Sequence, residues 1–172
     1  SEHYDTSKLV ETMLRSNLFF SPAAYRQRIK SPVDFALGIA TAFEEIIPTS
    51  KLASDLAELG QNLYNPPTVN GWEGGRRWIN TATVIGRNRL ASALIHETKE
   101  YGKKIDPGAV AKKHGHSRPE DAGRFVINLL LQGDVEPQVA DALLEAGADG
   151  DDSHRVRDIA HAVAVSPEFQ LA

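Results

Sequence analysis

The chain of 172 residues contains no cysteine, which excludes disulfide bonds, zinc–thiolate sites and a thiol nucleophile. It also has no excess of basic residues, since 19 Lys and Arg stand against 23 Asp and Glu, for a net charge of -4. A general nucleic-acid binder needs a basic surface to neutralise phosphates, so no nucleic-acid partner is expected. No apolar run approaches the roughly 18 residues of a membrane-spanning helix, and no membrane span is predicted.

Motifs of known catalytic, cofactor and metal sites are also missing. No serine lies in a G-x-S-x-G or S-x-x-K pattern, and no glycine-rich phosphate loop occurs. Residues 149–153, Asp-Gly-Asp-Asp-Ser, start like a calcium loop, but His154 stands where that loop requires glycine. The pairs His114/His116 and His154/His161 are interpreted as helix-end and surface histidines. The sequence therefore predicts no catalytic residue, no metal site and no cofactor.

Charged residues form several small clusters that are interleaved with the opposite charge. Each is interpreted as a solvated face of a helix or turn, and the basic ones also as surfaces that tolerate anions. The clusters are Arg26/Arg28/Lys30, Arg87/Arg89, Lys112/Lys113 and Glu44/Glu45.

The spacing of apolar residues predicts helices nearly everywhere. Hydrophobic residues make up 41% of the chain, enough for a core, and the length fits one domain over residues 1–172. Ala36, Ile39, Ala40 and Phe43 recur with the spacing of one helix face, and similar stripes follow along the chain. No stretch of four residues alternates with period two. We therefore predict an all-α fold, a compact bundle of about seven or eight helices without a sheet.

Capping residues predict where several helices begin. Ser31 precedes Pro32 and the first long stripe, and Asn80 or Thr81 precedes another. Ser117 and Glu120 have the spacing of a capping box, in which each side chain bonds the other residue's backbone. An opening helix is predicted to run through apolar residues from 9 to 18.

A long irregular segment, residues 61–78, separates two of the predicted helices. It contains a Pro-Pro pair, an Asn-Gly turn and a Gly-Gly pair, together with both tryptophans of the chain. Loops of this length in compact domains are usually functional or disordered, and a loop that holds both tryptophans is expected to be ordered. Trp72, Arg76, Arg77 and Trp78 are the predicted ligand-binding residues, because indoles stack and guanidinium groups bind carboxylates, phosphates or sugar hydroxyls.

The same composition has a structural interpretation. Trp72 and Trp78 would then anchor the loop on the helices, and the arginines would cap helix carbonyls or pair with Glu73. If residues 66–78 do bind a ligand, the combination of indoles and arginines favours a carbohydrate or an anionic polymer, such as a polymer of the cell surface.

Residues 59–72 read Leu-Gly-Gln-Asn-Leu-Tyr-Asn-Pro-Pro-Thr-Val-Asn-Gly-Trp and continue as Glu-Gly-Gly-Arg-Arg-Trp-Ile-Asn-Thr. This string resembles the C-terminal part of a bacterial family called domain of unknown function 1800. Residues 30–35 and 166–170 extend the resemblance, which spans roughly residues 9–131 and the final helix. It implies that the chain is the C-terminal segment of a longer, exported protein with an extracytoplasmic location, periplasmic or secreted. It also implies a co-encoded exported protein as a possible partner, and it implies no reaction.

Three functions are compatible with these observations. The first is a non-enzymatic binding or assembly module, which predicts a groove beside Trp72 or Trp78. The second is the C-terminal part of an enzyme whose catalytic residues lie in a preceding portion, which predicts a large exposed apolar face. The third is a purely structural helical domain, which predicts that both tryptophans are buried and that the arginines are paired internally. We expect the first.

Overall fold

A computed structural model describes residues 5–96, 99–102, 105–147 and 152–172. Within these ranges the chain forms eight α-helices and three short 3-10 turns, as the apolar periodicity predicts. The helices are α1 (Thr6–Leu14), α2 (Pro32–Ala42), α3 (Thr49–Glu58), α4 (Thr81–Ile95), α5 (Pro107–Lys113), α6 (Pro119–Leu131), α7 (Pro137–Glu145) and α8 (Asp152–Val165). No strand occurs in the described ranges, where the β interaction found is an isolated antiparallel bridge between Ile29 and Leu171. The predicted all-α fold is confirmed.

Two of the predicted helix starts form complete capping boxes. The Ser31 hydroxyl accepts from the Asp34 amide at 3.2 Å, and the Asp34 carboxylate accepts from the Ser31 amide at 3.1 Å. Of the two alternatives for α4, Asn80 is the cap, and its side chain and that of Thr83 form the same reciprocal pair. Each box satisfies two amide groups that the first turn of a helix otherwise leaves without a partner.

Two other boundaries differ from the prediction. Helix α6 begins one residue later than expected, with Arg118 at the N-cap and no capping side chain, so the box between Ser117 and Glu120 is absent. Pro119 explains the difference, because a proline is favoured at the first helical position and fixes its backbone there. Helix α1 ends at Leu14, so the predicted opening helix is too long and Leu18 lies beyond it.

The core is built around α8, which packs against α4, α5, α6 and α7. Helices α6 and α8 approach closely at Gly123, where an added Cβ would lie 2.8 Å from Ile159 Cδ1. Helix α2 adds the fully buried Phe35, Ile39 and Phe43. Helix α1, by contrast, buries none of its side chains. No helix within the described ranges is long and apolar enough to span a membrane.

A buried arginine joins α4 to the start of α2 and to the residue that precedes its cap. Arg87 is only 2% exposed, and its Nη2 donates to the Lys30 carbonyl at 2.7 Å. Its guanidinium carbon lies 5.1 Å from the centre of the Phe35 ring. The interpretation of this residue as part of a solvated basic cluster is wrong, while its neighbour Arg89 is exposed as expected.

Candidate functional site

The predicted loop of residues 61–78 is anchored at both ends and exposed between them. At its start the Gln61 side-chain oxygen accepts from the Val33 amide of α2 at 2.9 Å. Residues 62–70 are exposed, and Trp72 is half-buried. Trp78 is the last residue of a short 3-10 turn, Gly75–Trp78, and its side chain is buried. Gly74 and Gly75 both have positive φ angles, of 69° and 56°, a conformation that favours glycine. The glycine pair thus allows the turn in which the second indole is buried, with its Nε1 3.7 Å from the place of a Cβ added at Gly74.

The two loop arginines lie on the surface. Both Arg76 and Arg77 are exposed, and Arg77 forms an ion pair with Glu73. This pair is the one that the structural interpretation of the loop predicts. Neither of the two cavities described below is lined by Trp72 or Trp78 or by these arginines. Ligand binding by the loop stays a prediction.

The larger of these cavities has a volume of about 780 Å³ and lies where the end of α4 meets α5, α6 and α8. Its described lining mixes apolar and polar groups, and the titratable residues among them are mostly basic. The charged and titratable lining residues are His96, Asp106, Lys112, His116, His154 and Arg157. We call this space the histidine cavity. Its residues come from four separate parts of the sequence.

Arg157 forms one wall of the histidine cavity and fixes its shape. The residue is 7% exposed, and its Nη1 donates to the carbonyls of both Ile95 and Ile105, each at 2.7 Å. Its Nη2 lies 3.5 Å from the Asp106 carboxylate, which also caps α5 by accepting from the Ala109 amide at 3.0 Å. One side chain of α8 therefore holds the end of α4 and the start of α5 together.

His96 lies in a crowded part of this cavity. Its ring centre is 5.0 Å from that of His161, and its Nδ1 is 3.8 Å from the Asp158 carboxylate. Burial lowers the pKa of His96, His161 lowers it further, and Arg157 and His154 act in the same direction against Asp158. Within the described part of the chain, no group of three or more His, Asp or Glu side chains could hold a metal ion.

The remaining histidines agree in part with their sequence interpretation. His114 is the C-cap of α5, as a helix-end histidine should be, and its ring stacks on Phe125 with centres 5.4 Å apart. His116 stacks on the same ring at 4.7 Å and faces the histidine cavity. Residues 148–151, which hold most of the calcium-like string, lie outside the described residues.

A second cavity of about 510 Å³ is mainly apolar and lies beside the segment that follows α1. Its apolar lining includes Phe19, Phe20, Tyr25, Leu130 and Leu131, and its charged lining residues are Arg26, Lys30 and Glu168. We call this space the aromatic groove.

The two cations at the aromatic groove are attached to its walls. Arg26 Nη2 donates to the Leu131 carbonyl at 2.8 Å, and Lys30 Nζ donates to the Phe169 carbonyl at 2.8 Å. Burial, with Arg26 nearby, lowers the pKa of Lys30 to about 8. The groove therefore combines aromatic walls with two fixed basic groups.

The aromatic groove continues into a broad apolar surface formed by α1 and the segment that follows it. Eight large apolar or aromatic side chains there are between 46% and 75% exposed: Leu9, Val10, Met13, Leu14, Leu18, Phe19, Phe20 and Tyr25. We call this set the α1 surface. The sequence predicts an opening helix through apolar residues of this region, and an apolar stripe on a helix usually faces a core. The structure instead leaves that face uncovered.

Searches of curated proteins and of solved structures each returned no match to this chain. A family model does match, over residues 1–171, which extends well beyond the residues that carry the resemblance in the sequence. That model describes a protein of unknown function, DUF1800, and because it covers essentially the whole chain, the chain belongs to this family.

Proposed function

We propose that this domain is a non-enzymatic assembly module that docks an amphipathic helix of a partner protein on the α1 surface. The observation that carries the proposal is that α1 buries none of its side chains. Leu9 with Met13 and Val10 with Leu14 are four residues apart, so their side chains form one stripe along the helix. A helix of nine residues is marginal in water without packing, and the stripe is the face on which packing would occur.

The extent of the α1 surface fits a specific protein interface. Single exposed apolar residues are normal on proteins, but contiguous apolar patches of several hundred Å² mark interaction sites. All eight side chains of this surface are between 46% and 75% exposed, and each partner in a standard complex buries ~800 Å².

The charges beside the α1 surface indicate the chemistry of the partner. Arg26, Lys30 and Glu168 line the aromatic groove, which leaves an excess of one positive charge among the described lining side chains. An acidic side chain at one end of the docked helix would complement that charge. The extracytoplasmic location implied by the family resemblance stays a prediction, and it would place the partner among exported proteins.

An exposed apolar face is also what the split-enzyme hypothesis predicts. Both hypotheses require a protein to dock at the α1 surface, and they differ in whether the assembled complex has an active site. The absence of a nucleophile motif in this sequence does not separate them, because the split-enzyme hypothesis places the catalytic residues in a preceding portion. We propose the non-enzymatic interpretation because it accounts for the exposed surface without assigning catalytic residues to another part of the protein.

A labelled helical peptide tests docking directly. The probe is an amphipathic peptide of about 14 residues with leucines on one face and a terminal glutamate, and the control is a scrambled peptide of the same composition. We expect micromolar binding by fluorescence anisotropy, weakened about tenfold or more in the double variant Leu18→Ser/Phe20→Ser. Val69→Ser is the matched control, since Val69 is fully exposed but lies in the loop away from α1.

Two results would overturn the proposal. Equal binding of the scrambled peptide would show that the α1 surface binds apolar peptides non-specifically. A dimer in light scattering that the Leu18→Ser/Phe20→Ser variant dissociates would show that a second copy of this chain, rather than a different protein, covers the surface.

A further inference from the structure

We infer that the histidine cavity is a binding site for a small anionic molecule that carries a phosphate or carboxylate group. The inference is independent of the α1 surface, because the cavity lies between α4, α5, α6 and α8 and shares no residue with α1. It rests on the charge of the lining, on the state of His96 and on the size and rigidity of the space.

Basic side chains outnumber acidic ones among the described lining residues. The basic ones are Lys112, Arg157 and three histidines. Asp106 is the one carboxylate among the described lining residues, and it already faces Arg157 and caps α5. An oxyanion in the cavity would therefore meet donors and cations on several sides.

The pKa of His96, inside the cavity, is lowered partly by neighbouring basic groups. Besides burial, its pKa is lowered by three basic neighbours, His161, Arg157 and His154, and Asp158 offsets them only in part. A bound anion would reverse this effect, because a negative charge within a few Å stabilises the imidazolium form. The pKa of His96 is thus a built-in reporter of occupancy.

The dimensions of the cavity suit a metabolite-sized ligand. A volume of about 780 Å³ lies in the range of small-molecule sites, roughly 300–1,000 Å³, and is far larger than one phosphate ion requires. The two carbonyl bonds of Arg157 hold the walls in place, so little ordering is needed when a ligand enters. Ser117, at the same wall as His116, offers a hydroxyl to a ligand oxygen.

Histidine ring signals in NMR test the site on the intact chain. Inorganic phosphate and succinate are titrated separately at constant ionic strength, each up to about 20 mM, with glycerol as the uncharged control. We expect saturable shifts of His96, His116 and His154 and a rise in the pKa of His96 with at least one of the two anions. His114 lies outside the cavity and should not respond.

Two neighbouring lysines provide matched variants. Lys112 lines the cavity, whereas Lys113 pairs with Glu44 on the other side of the same helix. Lys112→Ala is expected to weaken anion binding about fivefold, and Lys113→Ala to leave it unchanged. A response to phosphate alone or to succinate alone assigns the oxyanion class. Absence of saturable shifts with both anions, equal shifts with glycerol, or equal effects of the two lysine variants would overturn the inference.

Discussion

The guanidinium of Arg87 donates from Nη1 to the side-chain oxygen of Gln170 at 2.9 Å, across 83 positions of sequence. Gln170 in turn donates to the Ala164 carbonyl at 2.8 Å, so the bond connects α4 through the last turn to the end of α8. Burial lowers the pKa of Arg87 to about 10, which still leaves the group charged at neutral pH. A buried charge of this kind is tolerated only while its hydrogen bonds are made.

Removing this arginine should therefore destabilise the whole domain. We expect Arg87→Ala to lower the free energy of unfolding by about 3 kcal/mol, because the Lys30 carbonyl and the Gln170 side-chain oxygen lose the group that donates to them. Urea denaturation followed by circular dichroism measures the change. Arg89→Ala, on the exposed side of the same helix, should stay within about 0.5 kcal/mol of the unmodified chain, and equal effects of the two substitutions would contradict the assignment.

Lys30 should make the stability depend on pH in the alkaline range. Its pKa is about 8 in the folded chain and near 10.5 when unfolded, so the unfolded state holds more protons between these values. Stability should then rise as the pH increases from 8 toward 10. Because Lys30 is partly solvated, we expect a gain of at most about 1 kcal/mol. Urea denaturation between pH 7.5 and 9.5 should show the slope, and Lys30→Met should remove it.

Two glycines within helices should respond in opposite directions to the same substitution. At Gly123 an added Cβ would lie 2.8 Å from Ile159 Cδ1, so Gly123→Ala should cost about 1–3 kcal/mol through overpacking. At Gly38 the nearest atom would be Phe169 Cζ at an ordinary 3.6 Å, so Gly38→Ala should gain up to about 1 kcal/mol of helix propensity. Thermal unfolding of each variant measures its change in stability. A loss of stability in Gly38→Ala would be inconsistent with the described packing.

Polar substitutions on α1 should leave the fold intact. Leu9 and Met13 bury little surface, so Leu9→Ser/Met13→Ser should change the free energy of unfolding by less than about 0.5 kcal/mol. Leu56→Ala, at a side chain that is 1% exposed, should cost about 2–5 kcal/mol. A large loss in the α1 variant would mean that this helix packs on the domain in solution.

The predicted loop site has its own spectroscopic test. Replacing the buried Trp78 by phenylalanine leaves the half-buried Trp72 as the sole indole, placed beside the exposed Arg76 and Arg77. If these residues bind ligand, titration with polyanions and glycans should shift the Trp72 fluorescence, and Arg76→Ala/Arg77→Ala should abolish the shift. No response to any ligand would leave the loop with the structural role that the Glu73 ion pair indicates.

What could be predicted from the sequence depends on the distance over which each signal acts. The caps at Ser31 and Asn80 involve residues three positions apart, and both are found where the sequence places them. The burial of Arg87 and the position of His96 depend instead on how α8 and the last turn fold back on α4. Nothing near Arg87 in sequence distinguishes it from the exposed Arg89, apart from a helical period that places them on different faces.

The histidine cavity and the exposed face of α1 were not predicted, because both depend on packing between distant parts of the chain. The histidine cavity collects residues from four separate parts of the chain, none of which carries a motif, so only the packing of the helices brings them together. Helix α1 shows the converse case. Its apolar stripe predicts a buried face, but periodicity cannot tell whether the covering surface belongs to this domain or to another protein.

The contacts between Lys30 and Phe169 also bear on how the chain is made. The Lys30 Nζ lies 3.7 Å from the Phe169 ring centre and donates to its carbonyl across 139 positions, and Phe169 closes over Phe35 of α2 with ring centres 5.8 Å apart. During synthesis at about 5–20 residues per second, α2 therefore waits on the order of 10 s for this cover. Helices α4 and α6, which also pack on α2, are made earlier. A ribosome that stalls before residue 169 therefore leaves a nascent chain in which the Phe35 side of α2 lacks its last cover.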